Sequence, residues 1–166
     1  MYNNIFDDKS MMKLQDILRD KKQTITFAES CTGGLCASML TKVSGSSDIF
    51  KGSVVTYCND IKEQELNVKK ETMIKYGAVS TQTVNEMLDG VQKKFDADYS
   101  IAISGIAGPN GGSDEKPVGT VVIGIKVGNN SSNSSVYRFF GTREEVQIQA
   151  AKTAFLEIFQ ILLKNT

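Results

Sequence analysis

Apolar residues recur at helical spacing in three stretches of this chain. Between about residues 8 and 22, Met12, Leu14, Ile17 and Leu18 stand among mostly charged neighbours, which predicts an amphipathic helix. Val84, Met87, Leu88, Val91 and Phe95 predict a second helix, capped by Ser80 or Thr81. Val146, Ala150, Ala154, Phe155, Ile158, Phe159 and Leu162 predict a third, and Thr142-Arg143-Glu144-Glu145 has the form of a capping box at its start. Shorter helices fit Leu35 to about Thr41 and Lys70 to Tyr76, the latter broken by Gly77-Ala78-Val79. A further one, capped by Asn59, is expected to run through Lys62 to about Leu66.

Compact runs rich in β-branched residues predict the strands. They are Thr24 to Ala28, Gly52 to Tyr57 and Tyr99 to Ser104. Thr120 to Val127 and Val136 to Phe140 read as a hairpin around the polar tip Asn129 to Ser135. Gly105 to Gly119 is a loop with five glycines and two prolines. Strands and helices alternate over the first two-thirds, and an antiparallel pair and a helix close the chain. This order predicts an α/β fold, a three-layer α/β/α sandwich with a mixed sheet and helices on both faces. Residues 1–166 are expected to form one domain.

Composition narrows the function. Nineteen lysines and arginines balance nineteen aspartates and glutamates, so the chain has no global attraction for nucleic acid or anionic lipid. Any anionic ligand must be held by a local site. No stretch approaches membrane-spanning length, and residues 1–8 lack the basic and apolar regions of a secretory signal. The three cysteines Cys31, Cys36 and Cys58 suit reduced thiols, so a cytoplasmic location is expected. There is no histidine. That removes Ser-His-Asp and Cys-His catalysis and histidine metal ligands, and three cysteines without CxxC spacing make a poor zinc site. Proton transfer would fall to Lys, Tyr, Asp or Glu.

Four segments could carry chemistry. In Ala28-Glu29-Ser30-Cys31-Thr32-Gly33-Gly34 a serine stands on a sharp turn between strand and helix. The N–H groups after it are expected to carry the positive end of the helix dipole and to hold an oxyanion or phosphate. An ordinary helix cap with turn-forming glycines is the plainer alternative. In Tyr57-Cys58-Asn59-Asp60-Ile61-Lys62 the lysine falls in the first helical turn, where the dipole and partial burial would both depress its pKa. A lysine base at neutral pH needs a fall from about 10.4 to roughly 7–8. A solvated surface lysine is the alternative. Ser104-Gly105-Ile106-Ala107-Gly108 opens the glycine-rich loop, whose amides could approach a ligand closely, although neither GxGxxG nor GxxxxGK[ST] is present. Arg143 could grip a phosphate or carboxylate, or pair with Glu144 or Glu145.

Taken together with Gly77-Ala78-Val79-Ser80, Pro109, Gly111-Gly112-Ser113 and Lys116-Pro117-Val118-Gly119-Thr120, these segments resemble the CinA C-terminal domain family over about residues 10 to 163. That family includes stand-alone nicotinamide-nucleotide amidases. The resemblance implies an α/β/α sandwich and deamidation of nicotinamide mononucleotide to nicotinate mononucleotide and ammonia. The family's catalytic serine falls on Ser30 and its lysine on Lys62, while Tyr57, Ser104 and Arg143 fall on positions linked to the active site. Some members carry threonine at the position of Ser104, which keeps the hydroxyl. Full-length relatives add an N-terminal domain associated with nucleotide pyrophosphatase activity, which a chain of this length is not expected to include.

The expected mechanism has neutral Lys62 take the Ser30 proton and Ser30 attack the carboxamide. N–H groups of Cys31, Thr32, Gly33 and Gly34, or of the loop at Gly105, Ile106, Ala107 and Gly108, would hold the oxyanion. Tyr57 would help relay the proton to the leaving ammonia, and Arg143 would hold the phosphate. No metal or cofactor is needed. The expected partners are a small-molecule nucleotide and further copies of the chain in a homo-oligomer, with neither nucleic acid nor membrane. Cys31 is a rival nucleophile, since helix N-termini activate thiolates. A non-catalytic nucleotide-binding module and a competence- or damage-associated interaction protein are the alternatives to an enzyme.

Overall fold

In the computed structural model, which describes residues 1–166, twelve elements follow one another. They are α1 (Asp8–Asp20), β1 (Ile25–Glu29), α2 (Leu35–Thr41), a 3-10 turn at Ser46–Asp48, β2 (Val54–Val55), α3 (Asn59–Leu66), α4 (Lys70–Tyr76), α5 (Thr81–Phe95), β3 (Tyr99–Gly105), β4 (Thr120–Val127), β5 (Asn133–Arg138) and α6 (Arg143–Lys164). The strands form one sheet in the order β2-β1-β3-β4-β5. β1 runs parallel to β2 and β3, and β4 is antiparallel to β3 and β5. The sheet is mixed, as the alternation of elements predicts.

Side chains alternate across the sheet. Ile25, Phe27, Ile101, Ile103, Val121, Ile123 and Ile125 enter a core with residues of α1, α2 and α6. Ala28, Ala102 and Val122 face the other way, into a smaller core with residues from Leu66 through Val91. Helices therefore cover both faces, giving three layers. The second face carries small residues because α5 lies close: a side chain on Gly124 would strike Val84 and Leu88.

Several boundaries differ from the sequence expectation. β2 has two residues rather than six, because only Val54 and Val55 pair with β1 before the chain turns away. β5 spans Asn133–Arg138, not Val136 to Phe140, so polar residues expected in the tip join the edge strand. An edge strand exposed on one side tolerates Ser and Asn where a central strand would not. The cap of α3 is Cys58, and Asn59 is its first helical residue. The box at Thr142 and Glu145 forms in full and starts α6. No helix is long and apolar enough to cross a membrane.

Candidate active site

The carboxyl ends of the three parallel strands converge, where open α/β sheets hold ligands. Ser30 directly follows β1, and its N–H donates to Ile103 O of β3 (2.9 Å). Thr56 follows β2 and donates its N–H to Glu29 O (2.8 Å). Ser104 is the penultimate residue of β3, which extends the pairing of Glu29 with Ile103 by one step. Alternation puts these three hydroxyl residues on the face that carries α3 and α5. Ser30 is 7% exposed and Ser104 1%.

Lys62, on α3, reaches up to this row and is itself only 1% exposed. Its Nζ lies 3.1 Å from Ser30 Oγ and donates to the carbonyls of Thr56 (2.7 Å) and Tyr57 (3.3 Å). No carboxylate is among these partners. Burial lowers its pKa from the ordinary lysine value, and the nearby Cys58 and Cys31 thiols only oppose that fall. Desolvation of the ammonium, one of the two causes expected from sequence, is thus the leading one.

The turn after Ser30 is built differently from the sequence expectation. α2 starts five residues beyond Ser30, and its first amides do not face a ligand. Cys36 N–H (2.8 Å) and Ala37 N–H (3.1 Å) both donate to the carboxylate of Glu29, which is buried and also accepts from Thr32 Oγ1 (2.7 Å). A buried acid thus caps α2 from the preceding strand. Gly33 and Gly34 have φ of 61° and 102°, the left-handed region that lets the chain fold back here. The amides of Cys31, Thr32 and Gly34 donate to no backbone carbonyl or side-chain oxygen.

Cys31 does not behave as an activated thiol. It is buried, and desolvation, with Glu29 adding to it, pushes its pKa up to about 12. Burial thus disfavours the thiolate that a rival nucleophile would need, although Cys31 also lines the cleft above the strand ends.

A cleft of about 200 Å³ opens above the strand ends. It is lined by Cys31, Tyr57 and Gly105, the chain neighbours of the three hydroxyl residues, together with Ile106, Ala107, Gly108, Asn110, Gly111 and Arg143. A second hollow of about 460 Å³ lies along the loop from Pro109 to Val118 and shares Asn110 and Gly111 with the first. Of the site residues expected from sequence, Ser30, Thr32, Gly33, Gly34, Lys62 and Ser104 line neither; Gly33 and Gly34 shape the turn. Arg143 donates to Gly108 O (2.7 Å) and Tyr57 Oη (2.6 Å), not to Glu144 or Glu145. Glu145 instead closes the capping box, so the guanidinium keeps an uncompensated charge at the cleft mouth. Another hollow of about 340 Å³, near Met1 and Lys152, contains none of these groups. No group of acidic and thiol side chains is arranged to hold a metal ion.

Three contributors were missing from the sequence reading: Glu29 as the cap, Thr56 through its carbonyl, and Gln147, whose Nε2 donates to Cys31 O (2.8 Å). Thr56 acts through its backbone and leaves no side-chain signature. Gln147 stands one helical turn beyond Arg143, and that spacing was the one available signal.

Comparison with known proteins identifies the family. The model of the CinA C-terminal domain matches residues 7–162. A CinA-like protein of Prochlorococcus marinus (strain AS9601) is 48% identical over 151 residues, covering 90% of this chain and 36% of that protein. One of Fervidobacterium nodosum is 46% identical over 150 residues, with the same coverages. The chain thus spans about a third of the length of the curated relatives it matches. Among solved structures, the competence/damage inducible protein CihA of Agrobacterium tumefaciens superposes with a TM-score of 0.89 at 37% identity, covering 93% of this chain and 94% of that one. A competence-damaged protein (CinA) superfamily protein of Escherichia coli gives 0.90 at 31% identity, covering 97% and 93%. By motif, fold and sequence, the chain belongs to the CinA C-terminal domain family.

Proposed function

We propose that this chain is an amidohydrolase that converts nicotinamide mononucleotide to nicotinate mononucleotide and ammonia, with Ser30 as nucleophile and Lys62 as general base. The observation that carries this reading is the 3.1 Å approach of Lys62 Nζ to Ser30 Oγ, inside a buried setting that favours the neutral amine. A neutral amine has two hydrogens and one lone pair. With the hydrogens on the Thr56 and Tyr57 carbonyls, the lone pair is left for the serine proton.

Lys62 accepts that proton as Ser30 Oγ bonds to the carboxamide carbon. The carbonyl oxygen becomes an oxyanion within reach of the Cys31 and Thr32 amides. Collapse breaks the C–N bond, and the proton held by Lys62 leaves with ammonia. Water then gives a proton to Lys62 and attacks the ester, and Ser30 recovers that proton as the acid departs, which ionises to the carboxylate by losing its own proton to solvent. Arg143, a cation without a carboxylate partner, supplies charge for the substrate phosphate, and Tyr57 keeps it at the cleft mouth. The two hollows, which share Asn110 and Gly111, have a combined volume of the size that small-molecule ligands occupy.

The experiment is an assay of the purified chain for ammonia from nicotinamide mononucleotide beside Lys62→Ala. Release by the wild type alone is expected. Equal rates would reject the lysine base.

A further inference from the structure

We infer that Gln147 is a positioning residue for the oxyanion site: from α6 it holds the Cys31 carbonyl and so aims the Thr32 N–H at the reacting oxygen. The inference rests on the serine reading above and deepens it.

The C=O and N–H of a trans peptide lie in one plane and point in opposite directions, so pinning one aims the other. The Ser30 carbonyl accepts from Gly33 N–H at 3.0 Å. That fixes the Ser30–Cys31 peptide, whose N–H belongs to Cys31. The Cys31 carbonyl accepts from Gln147 Nε2 at 2.8 Å. That fixes the Cys31–Thr32 peptide, whose N–H belongs to Thr32. Both N–H groups lack a carbonyl or side-chain oxygen acceptor, although Cys31 and Thr32 are buried. Buried amides are ordinarily paired. Two neighbouring amides with clamped carbonyls and no oxygen acceptor, directly after the nucleophile, form a donor pair prepared for developing negative charge.

The two clamps differ in origin. Gly33 lies within the turn and cannot be changed without altering its left-handed backbone. Gln147 comes from another element, 116 residues away, and is half-buried. Its side chain can be altered while the turn keeps its Glu29 and Gly33 bonds. α6 thus meets the site twice, with Arg143 at the mouth and Gln147 one turn deeper.

The test compares wild type, Gln147→Met and Ser30→Ala by ammonia release and by the rate at which a fluorophosphonate labels Ser30, read by intact mass. The phosphoryl oxygen of that probe develops charge where the amide oxyanion would. Gln147→Met keeps the side-chain length and loses the donor. Its kcat and labelling rate are expected to fall about tenfold or more, short of the hundredfold or greater loss from deleting a donor outright. KM and the pH limb of Lys62 are expected to stay unchanged. If Gln147→Met fails to fold, Gln147→Glu, of the same shape, takes its place. Wild-type kcat and labelling in the variant overturn the inference alone, as does a raised KM at unchanged kcat. Labelling without ammonia rejects only the substrate, and the Gln147 comparison is then read from labelling. A wild-type chain that is neither labelled nor active rejects the serine reading and this inference with it.

Discussion

Gly90 of α5 lies directly against the carbonyl of Leu66 at the end of α3, so that a Cβ on Gly90 would overlap the Leu66 oxygen. Lys62 is one turn earlier on the same helix. The missing side chain on α5 therefore sets how close α3, and with it the lysine, comes to the sheet.

Gly90→Ala is expected to cost about 1–3 kcal/mol from overpacking, despite the better helix propensity of alanine. α3 must move away, so ammonia release should fall by more than the loss of folded protein explains. Urea unfolding and the amidase assay on the same sample check this. A variant as stable and active as wild type would show that the contact is slack.

Lys62→Arg separates charge from basicity. The guanidinium keeps the positive charge but does not release a proton in proteins. Activity is expected to fall about 10²- to 10⁴-fold, as for loss of a general base. If lysine served only to hold the Thr56 and Tyr57 carbonyls, arginine would retain much of the rate.

Turnover should also depend on pH in a stated direction. The working form of Lys62 in the proposed reaction is the amine, and burial lowers its pKa from 10.5. Activity is expected to rise with pH through the depressed value and to be lost as pH falls below it. The unfolded chain keeps this proton up to the ordinary lysine value. Stability should therefore rise with pH between the folded and unfolded pKa, where the unfolded state binds more protons. Profiles of kcat/KM and of the urea midpoint, each beside Lys62→Met, read the two effects. A midpoint slope unchanged in Lys62→Met would assign the rise to another group.

The cysteines should divide by burial. Cys58 is exposed, while Cys31 is buried with its pKa near 12. Iodoacetamide is expected to modify Cys58 and to spare Cys31 in the folded chain. Cys31→Ala should keep most of the activity at a cost of about 1 kcal/mol in stability. Peptide mass mapping and the amidase assay decide, and loss of turnover in Cys31→Ala together with labelling of Cys31 would restore the thiol mechanism.

Where the pattern was periodic, the sequence was legible. The helices at Thr81–Phe95 and Arg143–Lys164 follow from apolar spacing and caps, and the strands around Ile25–Glu29 and Thr120–Val127 from compact runs of β-branched residues. The mixed three-layer arrangement follows from their order. The limits of β2 and β5 did not follow, because pairing depends on where a neighbouring strand ends and not on local propensity. At the site, the closeness of Ser30 and Lys62 was expected from family motifs. The depressed lysine pKa was expected from the helix dipole and partial burial together, but not that Lys62 would be almost wholly buried, because the cover given by the surrounding layers cannot be read from residues 57–62. Nor was Glu29, whose side chain spends its oxygens on α2 and takes from the ligand the amides that helix position alone would assign to it.

The most direct measurement is ammonia release from nicotinamide mononucleotide by Ser30→Ala against the wild type, with both shown to be equally folded by circular dichroism. The hydroxyl 3.1 Å from the buried amine is the proposed bond-forming atom, so its removal is expected to abolish turnover while leaving the fold intact. Undiminished turnover in Ser30→Ala would contradict the account at its centre.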